Sequence, residues 1–212
     1  MPTSVTRLLA ALLATVLLSA CGSSEPEGPA ATGITTSDDD GYHGVRLEPA
    51  EQYDVPSMPL TDTEGRSFDL AKQPKRTLVF FGYTNCPDIC QVVMSTIASA
   101  LPRLPDAQRD EVRVAFVTTD PARDDAEALR TYLDRFDPSF VGLTGSLDDI
   151  VALGKPMDVL IKEGRKLPSG GYEVDHSTVV VSVQGGRGDL VWTGATSPAE
   201  MAEDLGKLLE EA

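Results

Sequence analysis

The sequence predicts an α/β fold: a central mixed β-sheet flanked by helices on both faces, with a β-hairpin late in the chain. Three observations carry the prediction. Short β-rich apolar runs alternate with segments whose apolar residues recur at helical spacing, the order that builds a sheet covered by helices. The first of these runs, "RTLVFFGY" (76–83), is nearly continuous in apolar character, as in a strand buried on both faces. Finally, "HSTVVVSVQGGRGDLVWTG" (176–194) sets two β-rich segments around a Gly-rich turn, the pattern of a hairpin.

Residues 76–83 read as a central, parallel strand. Pro87 follows, and its missing N–H costs nothing at a first helical position. Asp88 in the first turn complements the positive helix end. Ile89, Val93, Ile97 and Leu101 then share one face, so a helix begins at or just after Cys86 and stops before Pro102. "EVRVAFVTTD" (111–120) is the second strand. "DDAEALRTYLDRF" (124–136) is an amphipathic helix with Leu129, Leu133 and Phe136 inward, and Arg123 and Asp124 are candidates to cap it. "FVGLTGS" (140–146) is a short strand or turn, and "SLDDIVALGK" (146–155) a short helix. After the hairpin, "SPAEMAEDLGKLLEEA" (197–212) closes the chain as a helix, with Ser197 as N-cap and Pro198 at the first position. No internal repeat is visible. The turn bearing Cys86 falls at the carboxyl end of a central strand, where open α/β sheets place their sites.

The N-terminus sets the compartment. Arg7 precedes an apolar run from Leu8 to Leu18, short of the ~20 residues of a membrane span and fitting a secretory signal. "LSAC" followed by "GSS" resembles a bacterial lipoprotein box, which implies cleavage before Cys21 and lipidation of its sulfur. The expected organisation is a signal peptide (1–20), a lipidated cysteine with a flexible linker (21–43) and one domain (44–212). The linker reading rests on "GSSEPEGPAATGITTSDDDG", which has almost no large apolar side chain with which to offset the entropy of ordering. The expected location is the extracytoplasmic face of the bacterial cell membrane, lipid-anchored. The formal net charge of −15 grows by one unit when Arg7 leaves with the signal. It disfavours nucleic acid and any purely electrostatic grip on anionic lipid.

With Cys21 lipidated, two thiols remain, Cys86 and Cys90, in "GYTNCPDICQ" (82–91). Outside the cytoplasm such a pair forms a disulfide or is kept reduced for a purpose. Residues four apart share a helix face, and a helix start favours the thiolate. Thiolate serves both redox exchange and soft-metal binding, so the pair alone leaves both open. A purely structural staple closes so short a loop that it gains well under the ~3 kcal/mol of a 15-residue one.

A third ligand has to come from elsewhere in the chain. The chain has two histidines. His43, in "DGYHGVRLE", borders the linker and is expected to be an exposed surface residue. His176, in "YEVDHSTVVVSV", stands just before an apolar strand whose end could approach the cysteine turn. Two thiolates and an imidazole suit Cu(I), and with an added ligand Cu(II). Zinc accepts the same donors with water as a fourth ligand and is the second choice. Met94 is read as helix packing and Met157 as a loop residue, neither as a thioether ligand.

Three motifs in this order, "FFGYTNCPDIC", "VTTDPARDDAEALRTYLDRFDPSFVGLTGS" and "VDHS", resemble the SCO/SenC copper-chaperone family over about residues 44 to 210. The resemblance implies a thioredoxin-like fold and copper bound by Cys86, Cys90 and His176. It also implies a role in assembling the CuA centre of cytochrome c oxidase. The partners it implies are oxidase subunit II or another copper-receiving protein, together with a copper donor. Asp120 is then expected near the metal site, tuning it or touching a partner, and Asp175 could orient His176. Many members carry proline where this chain has Gln91, a difference in helix geometry rather than in the ligands.

Three functions follow for comparison. A membrane-tethered metallochaperone passes copper on and need break no substrate bond, so it is not an enzyme in that role. A thiol–disulfide reductase would use Cys86 and Cys90 as a redox pair to keep oxidase cysteines reduced. A peroxidase would need a peroxide pocket, and the sequence offers only a local cysteine pair.

Overall fold

A computed structural model of the chain describes residues 41–87, 89–166 and 172–211, and for residues 162–166 and 172–176 it describes the backbone. The expected signal peptide, most of the linker, Cys21 and Asp88 lie outside the described residues. Among the described residues, no helix is long and apolar enough to cross a membrane.

Four short strands come first: β1 (Val45–Arg46), β2 (Tyr53–Asp54), β3 (Pro59–Asp62) and β4 (Ser67–Asp69). Then follow β5 (Arg76–Gly82), α1 (Ile89–Ala100), α2 (Asp106–Arg109), β6 (Val112–Thr118), α3 (Ala126–Leu133) and β7 (Val141–Thr144). The remainder is α4 (Leu147–Gly154), β8 (Ile161–Lys166), β9 (Tyr172–His176), β10 (Val180–Gln184), β11 (Arg187–Trp192) and α5 (Pro198–Glu210). The main sheet runs β1-β11-β10-β5-β6-β7-β3-β4, with β2 beside β11, while β8 and β9 pair with each other in a separate sheet. β5, β6 and β7 are mutually parallel, and β10 lies antiparallel to β5. The predicted mixed sheet is therefore present, and β10–β11 is the predicted hairpin. Its turn needs two left-handed residues, which Gly185 and Gly186 supply at φ 55° and 79°.

All seven residues of β5 are buried, and alternation along the strand divides them between two cores. Leu78 and Phe80 join the side covered by α1, α3 and α5, whereas Val79 and Phe81 face α4. Helices do cover both faces. Met94 is buried in the first core and Met157 in the second, so both are packing residues.

Two helix boundaries differ from the sequence reading. The described part of α1 starts at Ile89, placing Pro87 ahead of it in a bend. α3 is capped by Asp125, whose side chain accepts the Ala128 N–H, rather than by Arg123 or Asp124. α5 carries the predicted Ser197 cap, strengthened by Glu200 into a reciprocal capping box.

The segment entering the domain is fastened to α5. The buried Asp204 carboxylate accepts the backbone N–H of His43 at 2.9 Å, that of Gly44 at 2.8 Å and the Trp192 indole N–H at 2.8 Å. The His43 ring is exposed, as expected, with Nε2 3.0 Å from a Glu203 oxygen. The outermost strands of the main sheet are short, two residues in β1 and three in β4.

Candidate functional site

β5 delivers the chain at Gly82 into the turn Tyr83–Asn85, and Cys86 follows directly. The turn closes on itself through the Cys86 N–H, which bonds the Tyr83 carbonyl at 3.2 Å. Cys86 stands just before α1, and its Sγ accepts the Cys90 backbone N–H at 3.4 Å. The thiol thus satisfies one of the donors that a helix start leaves without an intrahelical partner. No disulfide joins Cys86 and Cys90 in this structure. Cys90 is fully buried and Cys86 is 4% exposed. The structure therefore brings the two sulfurs to one helix start, at the carboxyl end of β5.

The space around Cys90 is tight. A side-chain carbon at Gly82 would lie 3.2 Å from Cys90 Sγ, 2.9 Å from Phe80 and 3.0 Å from Phe116. Glycine at this position lets α1 approach the sheet closely enough to seat Cys90.

His176 ends β9, paired with Ile161 across the small sheet. The next residue, Ser177, donates its N–H to the Leu160 carbonyl at 3.1 Å. The chain then enters β10 at Val180, whose partner in β5 is Phe80. Because β10 runs antiparallel to β5, the residues before Val180 and those after Gly82 leave the sheet at the same end. The backbone of His176 therefore belongs to the end that carries the cysteine turn. Asp175 is its neighbour in β9, paired with Lys162. Among the described residues, no three His, Cys, Asp or Glu side chains gather as a metal-binding group.

Asp120 lies two residues beyond β6 and is buried. Its N–H bonds the Thr118 hydroxyl at 3.0 Å, and its carboxylate is ion-paired with Arg123. The neighbouring Thr119 ties this loop to the cysteine strand, its N–H reaching the Gly82 carbonyl at 2.7 Å.

Two residues acquire importance that the sequence analysis did not assign. Asp124 is fully buried and accepts the Thr84 N–H at 2.9 Å, the Thr84 hydroxyl at 2.6 Å and the Thr118 hydroxyl at 2.7 Å. It clamps the cysteine turn onto β6. The clue was present in "ARDDAEAL": two adjacent aspartates precede the helix, and one helix takes one N-cap. The second residue is Tyr132 of α3, whose ring stacks against Phe116 and Phe136 at centroid distances of 5.3 Å each. Burial first, then the negative charge of Cys90 and Cys86, pushes its phenol well above the ordinary tyrosine pKa.

Comparison with known proteins decides the family. Residues 50–210 match the model of SCO1/SenC. The chain belongs to the SCO1/SenC family. It is 39% identical over 107 residues to the mitochondrial SCO2 homolog of Danio rerio, a match covering 50% of this chain and 38% of that protein. The chain spans less than two thirds of the length of the curated relatives it matches. Among solved structures, it superposes on the apo Sco1 protein of Thermus thermophilus with a TM-score of 0.68 at 30% identity, covering 80% of this chain and 96% of that one. It also superposes on copper-bound ScoI of Bradyrhizobium japonicum with a TM-score of 0.64 at 31% identity, covering 71% and 96%. The fold is the thioredoxin-like fold of Sco proteins, and the family is one of copper-binding proteins.

Proposed function

We propose that this chain is a membrane-tethered, extracytoplasmic metallochaperone that carries copper through Cys86, Cys90 and His176 and serves assembly of the CuA centre of cytochrome c oxidase. The observation that carries the reading is the Cys86–Cys90 pair at the start of α1, with the strand bearing His176 feeding into β10 at the same sheet end. Two thiolates and one imidazole are a soft donor set suited to Cu(I), and an added ligand would accommodate Cu(II). Copper bound in the related ScoI of Bradyrhizobium japonicum supports copper over zinc as the cargo. Oxidase subunit II or another copper-receiving protein is the recipient, and a separate protein is the donor. Lipid on Cys21 holds the domain at the membrane face.

The test is titration of the reduced protein with Cu(I) and with Cu(II) against a competing chelator. One ion per chain is expected, with retention lost when Cys86, Cys90 and His176 are replaced together. Equal binding by parent and triple variant would refute the proposal. Incorporation of labelled palmitate that disappears in Cys21→Ala tests the anchor.

The second reading is a thiol–disulfide reductase that keeps oxidase cysteines reduced. It is favoured by the unequal burial of the two thiols, Cys86 at 4% exposure and Cys90 at none, which suits an attacking and a resolving sulfur. His176→Ala separates the two. It removes copper retention and leaves dithiol exchange largely intact.

A further inference from the structure

The β8–β9 ribbon closes unevenly at the end that bears His176. In an antiparallel ribbon, two opposed residues exchange both main-chain bonds or neither. Ser177 and Leu160, one step past the Ile161–His176 pair, make one such bond, from the Ser177 N–H to the Leu160 carbonyl at 3.1 Å. The return bond runs from the Leu160 N–H to the Ser177 hydroxyl, also at 3.1 Å. A serine hydroxyl can offer nearby backbone this kind of alternative acceptor. The chain can then turn at Ser177 out of the small sheet toward β10 without leaving the Leu160 N–H unpaired.

The same hydroxyl donates to the Asp158 carbonyl at 3.3 Å. Asp158 ends the short turn Lys155–Met157 in the left-handed region, at φ 54° and ψ 25°, a conformation that aspartate tolerates better than most residues. One side chain at the exit of the ribbon therefore holds two residues at its entrance. Across the ribbon, Ile161 packs against both cores, and its Cδ1 lies 3.3 Å from where a side-chain carbon at Gly154 would sit. The backbone of His176 is thus bracketed, by a core-anchored residue opposite and by the hydroxyl clasp one position on.

We propose that Ser177 is the positioning residue for His176: its hydroxyl closes the β8–β9 ribbon in place of a main-chain carbonyl and so fixes where the chain delivers His176 at the cysteine end of the sheet. Its consequence for copper rests on His176 being a ligand, but the clasp itself belongs to the metal-free protein.

The first readout is amide hydrogen exchange in the metal-free full chain. Ser177→Ala is expected to speed exchange of the Leu160 amide about tenfold while Val181 in β10 keeps its rate. Ser177→Thr, which retains a hydroxyl, should restore the parent behaviour. The second readout is Cu(I) retention against a competing chelator. Groups that orient a metal ligand contribute about 10–100-fold to affinity, and a hydroxyl acting through backbone is expected to give about tenfold. Because the effect passes through His176, Ser177→Ala should change retention by less than about twofold in a His176→Ala background. An unchanged Leu160 exchange rate, an equal loss of retention in both backgrounds, or failure of Ser177→Thr to restore either readout overturns the proposal. So does a parent that binds copper no better than Ser177→Ala. A Ser177→Ala chain that no longer folds overturns it as well, since the hydroxyl would then serve the fold at large. A parent that retains no copper sinks the chaperone reading, and Leu160 exchange alone then decides this inference.

Discussion

The Asp124 carboxylate grips Thr84 twice, through its backbone N–H at 2.9 Å and its hydroxyl at 2.6 Å, across a separation of 40 positions. A residue at the head of α3 thus fixes the turn that presents Cys86. Asp124→Ala removes an acceptor serving three donors and leaves those donors buried without it. Hydrogen bonds to charged groups contribute about 1.5–3 kcal/mol each, with incomplete additivity, so a loss of about 2–3 kcal/mol is expected in denaturant unfolding. Alkylation of Cys86 should accelerate in the same variant, and an unchanged rate would mean the clamp does not control the turn.

The two thiols should differ in reactivity. Cys86 is slightly exposed and Cys90 is sealed on the buried face of α1. In a Cys21→Ser background, a bulky maleimide is expected to modify Cys86 first, with Cys90 reacting only through local opening of the helix start. Peptide mapping after limited labelling reads the order, and equal labelling would contradict the burial difference.

Gly82→Ala should loosen the site from beneath. The added methyl meets Phe80, Phe116 and Cys90 Sγ at 2.9 to 3.2 Å. Overpacking of this kind costs about 1–3 kcal/mol. A lower melting temperature together with faster labelling of Cys90 is the expected result. A variant as stable as the parent would show that α1 can shift outward freely.

Acid should weaken the far edge of the sheet through Asp62. Burial acts to raise its carboxyl pKa, but the backbone N–H and side chain of Arg66 and the backbone N–H of Glu64 outweigh that and hold it below the ordinary value. A depressed carboxyl stabilises the fold above its unfolded pKa of about 3.9 and ceases to do so as pH falls through the folded value. Asp62→Asn should therefore be less stable than the parent by about 1 kcal/mol at neutral pH, because its partner Arg66 is solvent-exposed. The gap should close as the pH drops below about 4. Thermal unfolding at pH 7 and pH 3 measures it, and a gap that widened in acid would reverse the sign of the argument.

The sequence was most legible where burial imposes a period. β5, β6, α1, α4, the β10–β11 hairpin and α5 are each long enough, or capped plainly enough, to show their pattern. The strands β1 to β4 were not, because two to four residues hold no period and exist by pairing with β11, β7 and each other. β8 and β9 escaped for a related reason. "IKEGRK" and "YEVDH" have little apolar alternation, and they pair with each other rather than with the central sheet. Within the site, the cysteines and His176 stood out as residue types with soft-donor chemistry. Asp124 and Tyr132 did not, since a carboxylate beside a helix start resembles a cap and a tyrosine at helical spacing resembles core. Only long-range packing reveals what each one touches.

The brevity of β1 and β4 has a consequence for the protein at high concentration. An outer strand offers unpaired amide groups on which a neighbouring chain can extend a ladder. Two residues at one rim and three at the other give such a ladder almost nothing to grow from. Copies of the chain at high concentration are therefore protected against rim-to-rim aggregation.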